Sequence, residues 1–383
     1  MINPDSFIKA IKNNNLNFVT GIPDSLLKNL TNRFNEKLKN HIISTNEGSA
    51  VSFAIGYYLS TKKPAIVYLQ NSGLGNIINP ITSLAHPKVY GIPMILIVGW
   101  RGEIKRLKQI SDEPQHKKQG QITIEQLKLL NIPYRIINHK TKNISNLINN
   151  LIKISKIKQC PVAIIVRKNT FKNLSKTKKK LKKKKLLRED IIKDVISVTS
   201  SKNIIISTTG MASRELYEIR KNNKQNDLKD FLTVGGMGHV SQIAAGIAMN
   251  KREKVICLDG DGSLLMHMGS LGISAKFKNL IHILINNKAH DSVGGQPTLG
   301  QSINFSKIAK ICGYKNSFLI KKRKEIKKSV IKALKSKNNF FLQINCEKGY
   351  RENLGRPSRD MKKRKIFFIK KLENYYEKFK KIY

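Results

Sequence analysis

Short apolar runs alternate along the chain with polar turns and with stretches of helical spacing. Val255 to Leu258 and Ile281 to Ile285 are the clearest runs. Both are β-branched, too short for helices, and end in Asp259-Gly260 and Asn286-Asn287. That pattern predicts two buried strands. The segment between them, Leu264 to Phe277, reads as a helix, so the stretch forms one βαβ unit with parallel neighbouring strands. Further strands are expected just before Gly21 and at Ile42 to Thr45, Ala65 to Leu69, Pro93 to Val98, Val162 to Val166 and Asn203 to Ser207. Helices are expected at Ser25 to Phe34, Ala50 to Leu59 and Gln242 to Met249. Strands alternating with helices imply an α/β fold of doubly wound parallel sheets, which bind ligands at the carboxyl edges of their strands.

Two side chains fall on such an edge. Asp261 follows the first strand and Asn287 the second, and both offer the hard oxygens that suit Mg²⁺ or Ca²⁺. Gly260 and Gly262 allow close backbone approach, and amides near Ser263 at the start of a helix favour a phosphate. The combination reads as a metal-bridged diphosphate site. Gly235-Gly236-Met237-Gly238 lacks the third glycine at the spacing a dinucleotide fingerprint requires, so that reading is rejected.

Gly260-Asp261-Gly262 followed by Asn286-Asn287 resembles the thiamine diphosphate signature. His290-Asp291-Ser292-Val293-Gly294-Gly295-Gln296-Pro297-Thr298 is similar to the phosphonopyruvate decarboxylases and their sulfopyruvate relatives. The resemblance covers nearly the whole chain and implies two thiamine diphosphate-binding domains in the order pyrimidine, then diphosphate. It makes Asp261, Asn287 and the Ala289 carbonyl the Mg²⁺ ligands, and brings Gly210, Gly260, Gly262 and Ser263 to the cofactor. Ser213 is a further candidate for diphosphate contact, and Met237 is the apolar prop beneath the bent cofactor. Thr45-Asn46-Glu47-Gly48-Ser49-Ala50 resembles the site whose Glu hydrogen-bonds the aminopyrimidine ring and activates the cofactor. Gly21-Ile22-Pro23-Asp24-Ser25 and the loop from Ser111 to Gly120 resemble two active-site loops, implying that Asp24 and His116 handle protons. Ser25, Lys117, His290, Arg351 and Arg356 are the candidate substrate contacts. The implied reaction is decarboxylation of 3-phosphonopyruvate to phosphonoacetaldehyde and CO₂, on the route to 2-aminoethylphosphonate, with sulfopyruvate the alternative 2-oxo acid. The family places its cofactor between subunits, so a homo-oligomer is implied. The loop Gly102 to Gln109 is more basic than the family pattern.

Composition changes this picture little. At 383 residues the chain exceeds one core. We expect a pyrimidine domain at 1–170, a Lys-rich linker at 171–188, a diphosphate domain at 189–348 and a basic tail at 349–383, part of it an amphipathic helix. The 72 Lys and Arg against 25 Asp and Glu give a net charge of +47. That field would favour polyanions, and a basic nucleic-acid-binding protein on an inactive enzyme scaffold is the reading from another class. No nucleic-acid module accompanies the charge, and Glu47, Asp261 and Asn287 are intact, so no specific nucleic acid is expected. The four cysteines lack metal or redox spacing, and no signal peptide or membrane span is seen. A cytoplasmic protein is expected, with no membrane partner.

Overall fold

Strands that are apolar on both faces need a layer of helices on each side, and the chain answers that need twice. The structure, a computed structural model, describes residues 1–106, 108–174, 186–225, 229–351, 353–357 and 360–380, with 374–380 described by backbone alone. It divides into two compact units, Met1–Lys180 and Leu181–Tyr383. Most of the expected linker, residues 175–185, lies outside the described residues.

The first unit has strands β1 (Val19–Gly21), β2 (His41–Ile43), β3 (Ala65–Gln70), β4 (Met94–Gly99), the short β5 (Ile104–Lys105) and β6 (Lys108–Gln109), β7 (Tyr134–Ile137) and β8 (Pro161–Val166). Six of them make one parallel sheet in the order β2-β1-β3-β4-β8-β7. The basic loop becomes the antiparallel β5–β6 hairpin. One face of the sheet packs Phe7, Phe34 and Tyr68; the other packs Ala54, Leu96 and Trp100. Phe171 closes the first core, its ring edge-on to Phe7.

The second unit has β9 (Ile204–Ser207), β10 (Asp230–Leu232), β11 (Val255–Gly260), β12 (Leu280–Asn286), β13 (Asn316–Ile320) and β14 (Phe340–Asn345). They form a parallel sheet in the order β10-β9-β11-β12-β14-β13. Counted within each unit, the two sheets have the same strand order. β11 and β12 pair in parallel from Val255 with Leu280 to Gly260 with Ile285, as the apolar runs imply.

One expected helix is broken. Leu264 to Phe277 is instead a short helix Asp261–Met266, a 3₁₀ turn Met268–Ser270 and a final turn Leu271–Ser274. His267 interrupts the run in a non-helical conformation (φ −140°, ψ 50°), with its ring stacked on His239 at 4.6 Å. Tertiary packing against the loop around Gly238 overrides helical spacing there. The basic tail supplies a helix, Met361–Lys380, whose Phe368 and Leu372 are buried in the second unit, with Phe368 against Phe231. No helix among the described residues is long and apolar enough to cross a membrane.

The centre of the second core is aromatic. Phe341 on β14 meets the His282 ring at 5.0 Å and the Tyr314 ring at 5.5 Å, all fully buried. Phe341→Ala is expected to destabilise the second unit by about 3–5 kcal/mol through lost burial and a cavity, measured by urea unfolding. A loss below about 1 kcal/mol would contradict this packing.

Candidate active site

Polar residues gather where each sheet's strands end, and each unit is considered alone. In the second unit β11 ends at Gly260 and the chain turns directly into the helix that begins with Asp261. Asp259 anchors this turn. Its Oδ1 accepts from the Gly260 N–H at 2.8 Å, and its Oδ2 lies 3.2 Å from His282 Nε2 on the neighbouring strand. Asp261 then stands 1% exposed, accepting a short hydrogen bond from the Thr298 hydroxyl and one from the Asn287 backbone N–H.

Thr298 arrives there because residues 288–298 fold back on themselves. Thr298 N–H donates to the Lys288 carbonyl at 3.1 Å and His290 N–H to the Gln296 carbonyl at 2.8 Å, with Gly294 and Gly295 at positive φ in the turn. The same fold-back sets Gly300 so close that a Cβ there would lie 2.6 Å from Asp261 Oδ2 and 2.5 Å from Asn286 Oδ1.

Three loops close around this carboxylate. Ser263 Oγ accepts from Thr208 Oγ1 at 3.0 Å and from Gly238 N–H at 3.2 Å. Gly210 adopts φ 91° with Ser292 Oγ 2.4 Å from where a Cβ would stand. A Cβ on Gly262 would meet the His290 ring at 2.8 Å and Met237 Cε at 3.5 Å. Gly210, Met237, Gly262, Ser263, Asn287, Ala289 and His290 therefore share one locality with Asp261. The Ser213 hydroxyl is engaged within the fold, donating to the Ser207 and Thr208 carbonyls.

In the first unit Glu47 opens the helix Glu47–Thr61, behind Asn46, whose side chain caps Ser49 N–H at 2.8 Å. It is 5% exposed. Asn76 Nδ2 donates to Glu47 Oε2 at 2.8 Å, and a Cβ on Gly73 would fall 2.5 Å from Oε1. Asp24 follows β1, fully enclosed. It accepts from Gln70 Nε2 at 2.7 Å and from the Leu26 and Leu27 N–H groups, so it does cap the turn as well. Burial raises its pKa, against the Gln70 hydrogen bond and the field of Arg101.

Arg101 is the functional candidate that sequence reading missed. It follows β4, so the visible signal was its place at a parallel strand's carboxyl end. Asp112 holds its Nε at 2.8 Å, and its Nη1 donates to Ser25 Oγ at 2.8 Å. Asn71 fixes its backbone, accepting from Arg101 N–H and donating to the Arg101 carbonyl. His116 lies in the first turn of the helix Pro114–Leu129. Burial, then the nearby Arg101 charge, lowers its pKa to about 4, against the pull of Asp112. Asp24, Ser25, Arg101, Asp112 and His116 thus share one locality, whereas Lys117 is exposed.

Residues 4–128 match the model of the N-terminal TPP binding domain of thiamine pyrophosphate enzymes, and residues 208–344 match the C-terminal TPP binding domain. A sulfopyruvate decarboxylase subunit alpha from Methanococcus maripaludis is 37% identical over 164 residues, 42% of this chain and 92% of that one. The chain belongs to the thiamine pyrophosphate enzymes. Among these enzymes a phosphonopyruvate decarboxylase from Streptomyces viridochromogenes is 28% identical over 375 residues, 93% of this chain and 91% of that one. A sulfopyruvate decarboxylase from Methanosarcina acetivorans is 27% identical over 377 residues, 91% and 92% of the two chains.

Do the residues present fit what a thiamine pyrophosphate enzyme holds? Among the described residues, Asp24, Glu47 and Asp261 are buried carboxylates with no Lys, Arg or His within ion-pair distance, although the chain carries 72 Lys and Arg. Burial pushes the Asp261 carboxyl up to about 6, against the Thr298 hydrogen bond. A buried charge left without a partner is costly, so such a carboxylate calls for a cation. Its neighbours are oxygen donors and amides, the set a hard cation and a diphosphate need. The fit is good. Arg351 is engaged elsewhere, between Glu189 at 2.8 Å and Glu218 at 3.1 Å, and Arg356 is exposed.

The lowered pKa of His116 has a testable sign. Between pH about 6.5 and about 4 the folded first unit binds fewer protons than the unfolded chain, so His116 contributes stability above that window that is lost as pH falls through it. An NMR titration of the His116 ring is expected to show a midpoint near 4. A midpoint near 6.5 would contradict the burial described.

Proposed function

We propose that this chain is a thiamine diphosphate- and Mg²⁺-dependent decarboxylase of 3-phosphonopyruvate, releasing phosphonoacetaldehyde and CO₂ for phosphonate biosynthesis. The observation that carries the reading is the buried Asp261 carboxylate, without a protein cation, beside Asn287 at the ends of two adjacent parallel strands. The similarity to a phosphonopyruvate decarboxylase over 93% of the chain supports the substrate.

Asp261, the Asn287 side chain and the Ala289 carbonyl would hold Mg²⁺, with Gly210, Gly260, Gly262 and Ser263 around the diphosphate and Met237 against the rings. When bound, thiamine diphosphate supplies an electron sink for the carboxylate that departs. Glu47, buried and fixed by Asn76, would hydrogen-bond the cofactor's aminopyrimidine. Asp24 and His116 divide proton work by their environments. Burial raises the Asp24 pKa and lowers that of His116 to about 4, so His116, neutral near pH 7, would accept a proton beside Asp24. Arg101, anchored by Asp112 and Ser25, is the cation best placed beside them for the substrate's anionic groups, ahead of Lys117, Arg351 and Arg356. His290 stays a candidate contact for substrate in the second unit. Self-association into at least a dimer belongs to the same reading.

Sulfopyruvate is the second reading, supported by the similarity to the Methanosarcina acetivorans enzyme over 91% of the chain. Aldehyde release from phosphonopyruvate, sulfopyruvate and pyruvate separates the two. Phosphonopyruvate is expected to be turned over fastest, with a loss of about 10²–10⁴-fold in Glu47→Gln. Arg101→Lys is expected to raise KM about tenfold with a smaller change in kcat. Faster turnover of sulfopyruvate would move the substrate. A folded, cofactor-loaded protein inactive on all three acids would overturn the proposal.

A further inference from the structure

The Asn287 amide has two ends, and only its oxygen can ligate a cation. What decides which end faces Asp261? Asn287 Nδ2 donates to Asp291 Oδ2 at 2.7 Å. An ionised carboxylate can only accept, so the amide nitrogen must face Asp291 and the oxygen must turn away from it. That oxygen accepts the Ala289 N–H at a long 3.3 Å and, with two lone pairs, keeps capacity for a cation. The backbone N–H of the same Asn287 donates to Asp261, so the amide group stands beside the carboxylate it would have to assist.

Asp291 is itself held. The same Oδ2 accepts Arg188 Nη1 at 3.1 Å and Gly349 N–H at 3.1 Å. Arg188 is buried and bidentate to Glu215, with Nε at 2.8 Å and Nη2 at 3.0 Å. One guanidinium thus bridges two buried carboxylates behind Asn287. A rigid fork of donors is what such a bridge needs, and Lys would not reproduce it. The three parts come from distant stretches: Arg188 beside the Lys-rich segment, Glu215 in the helix Met211–Asn222, and Asp291 in the turn after β12.

We infer that Asp291, clamped by Arg188, is a positioning residue that turns the Asn287 amide oxygen toward the cation at Asp261 and so sets the affinity for Mg²⁺. This rests on the proposed function, because it presumes that the cation binds there. Groups that fix a ligand's orientation commonly control metal affinity by about 10–100-fold.

The experiment is a calorimetric Mg²⁺ titration of the full chain with thiamine diphosphate saturating, for the wild type, Asp291→Asn and Arg188→Lys. Asp291→Asn keeps the shape and an acceptor oxygen, but its new N–H₂ can donate to Asn287 and let that amide flip. Its apparent Kd for Mg²⁺ is expected to rise about 10–100-fold. Excess Mg²⁺ should restore the cofactor-bound state, and the melting temperature in EDTA should stay within a few degrees of wild type. Arg188→Lys is expected to give a smaller rise of the same sign, and it decides the matter alone if Asp291→Asn does not fold. Wild-type Mg²⁺ affinity in the folded variants would overturn the inference while leaving the site intact. A wild type that binds no Mg²⁺ beside thiamine diphosphate would overturn the site, and the inference with it.

Discussion

A carboxylate buried at the carboxyl edge of a parallel sheet, with no protein cation beside it, is the constraint on which the second unit depends. Elsewhere in the second unit the described buried acids have a basic partner: Asp230 with Arg220, Glu215 and Asp291 with Arg188, Glu189 with Arg351. Asp261 has only hydroxyl and amide donors. Leaving that charge in the interior would be expensive, and under the proposed function a divalent cation would complete the shell of surrounding oxygens. The fold-back of residues 288–298, the tie between Thr208, Gly238 and Ser263, and the Asp259–His282 anchor all hold the loops around that position.

The two units repeat one strand order yet carry different chemistry at the same edge. In the first, the residues after β1, β3 and β4 are Asp24, Asn71 and Arg101, to which the proposed function assigns protons and anions. In the second, the residues after β9, β11 and β12 are Gly210, Asp261 and Asn287, which suit a cation and phosphates. A topology fixes where strand ends converge, and the loop residues decide what that edge does.

Much of this was legible in sequence because it is local. The runs at Val255 and Ile281 became β11 and β12, in register, since a continuous apolar run can only be buried on both faces. β14 was not visible. Gln343 and Asn345 interrupt its apolar pattern; besides bonding each other they have tertiary partners, since Ser306 N–H donates to Gln343 and Asn286 Nδ2 to Asn345. β7 was missed as a partly exposed edge strand. The helix expected to continue past Met266 fails at His267, where a contact from a distant loop decides the backbone. The site followed the same rule. Asp261, Asn287 and Glu47 announce themselves through glycines and strand ends, whereas the grip of Asp112 and Ser25 on Arg101, and of Arg188 on Asp291, joins residues far apart in the chain. No local pattern encodes those pairings.

The central claim is that the site at Asp261 takes thiamine diphosphate only through a divalent cation. Calorimetric titration of the full chain with thiamine diphosphate, in Mg²⁺ and in EDTA, tests it most directly. The account predicts binding in Mg²⁺ and none measurable in EDTA, with Asp261→Asn behaving in Mg²⁺ as the wild type does in EDTA. Equal affinity with and without the metal would contradict it.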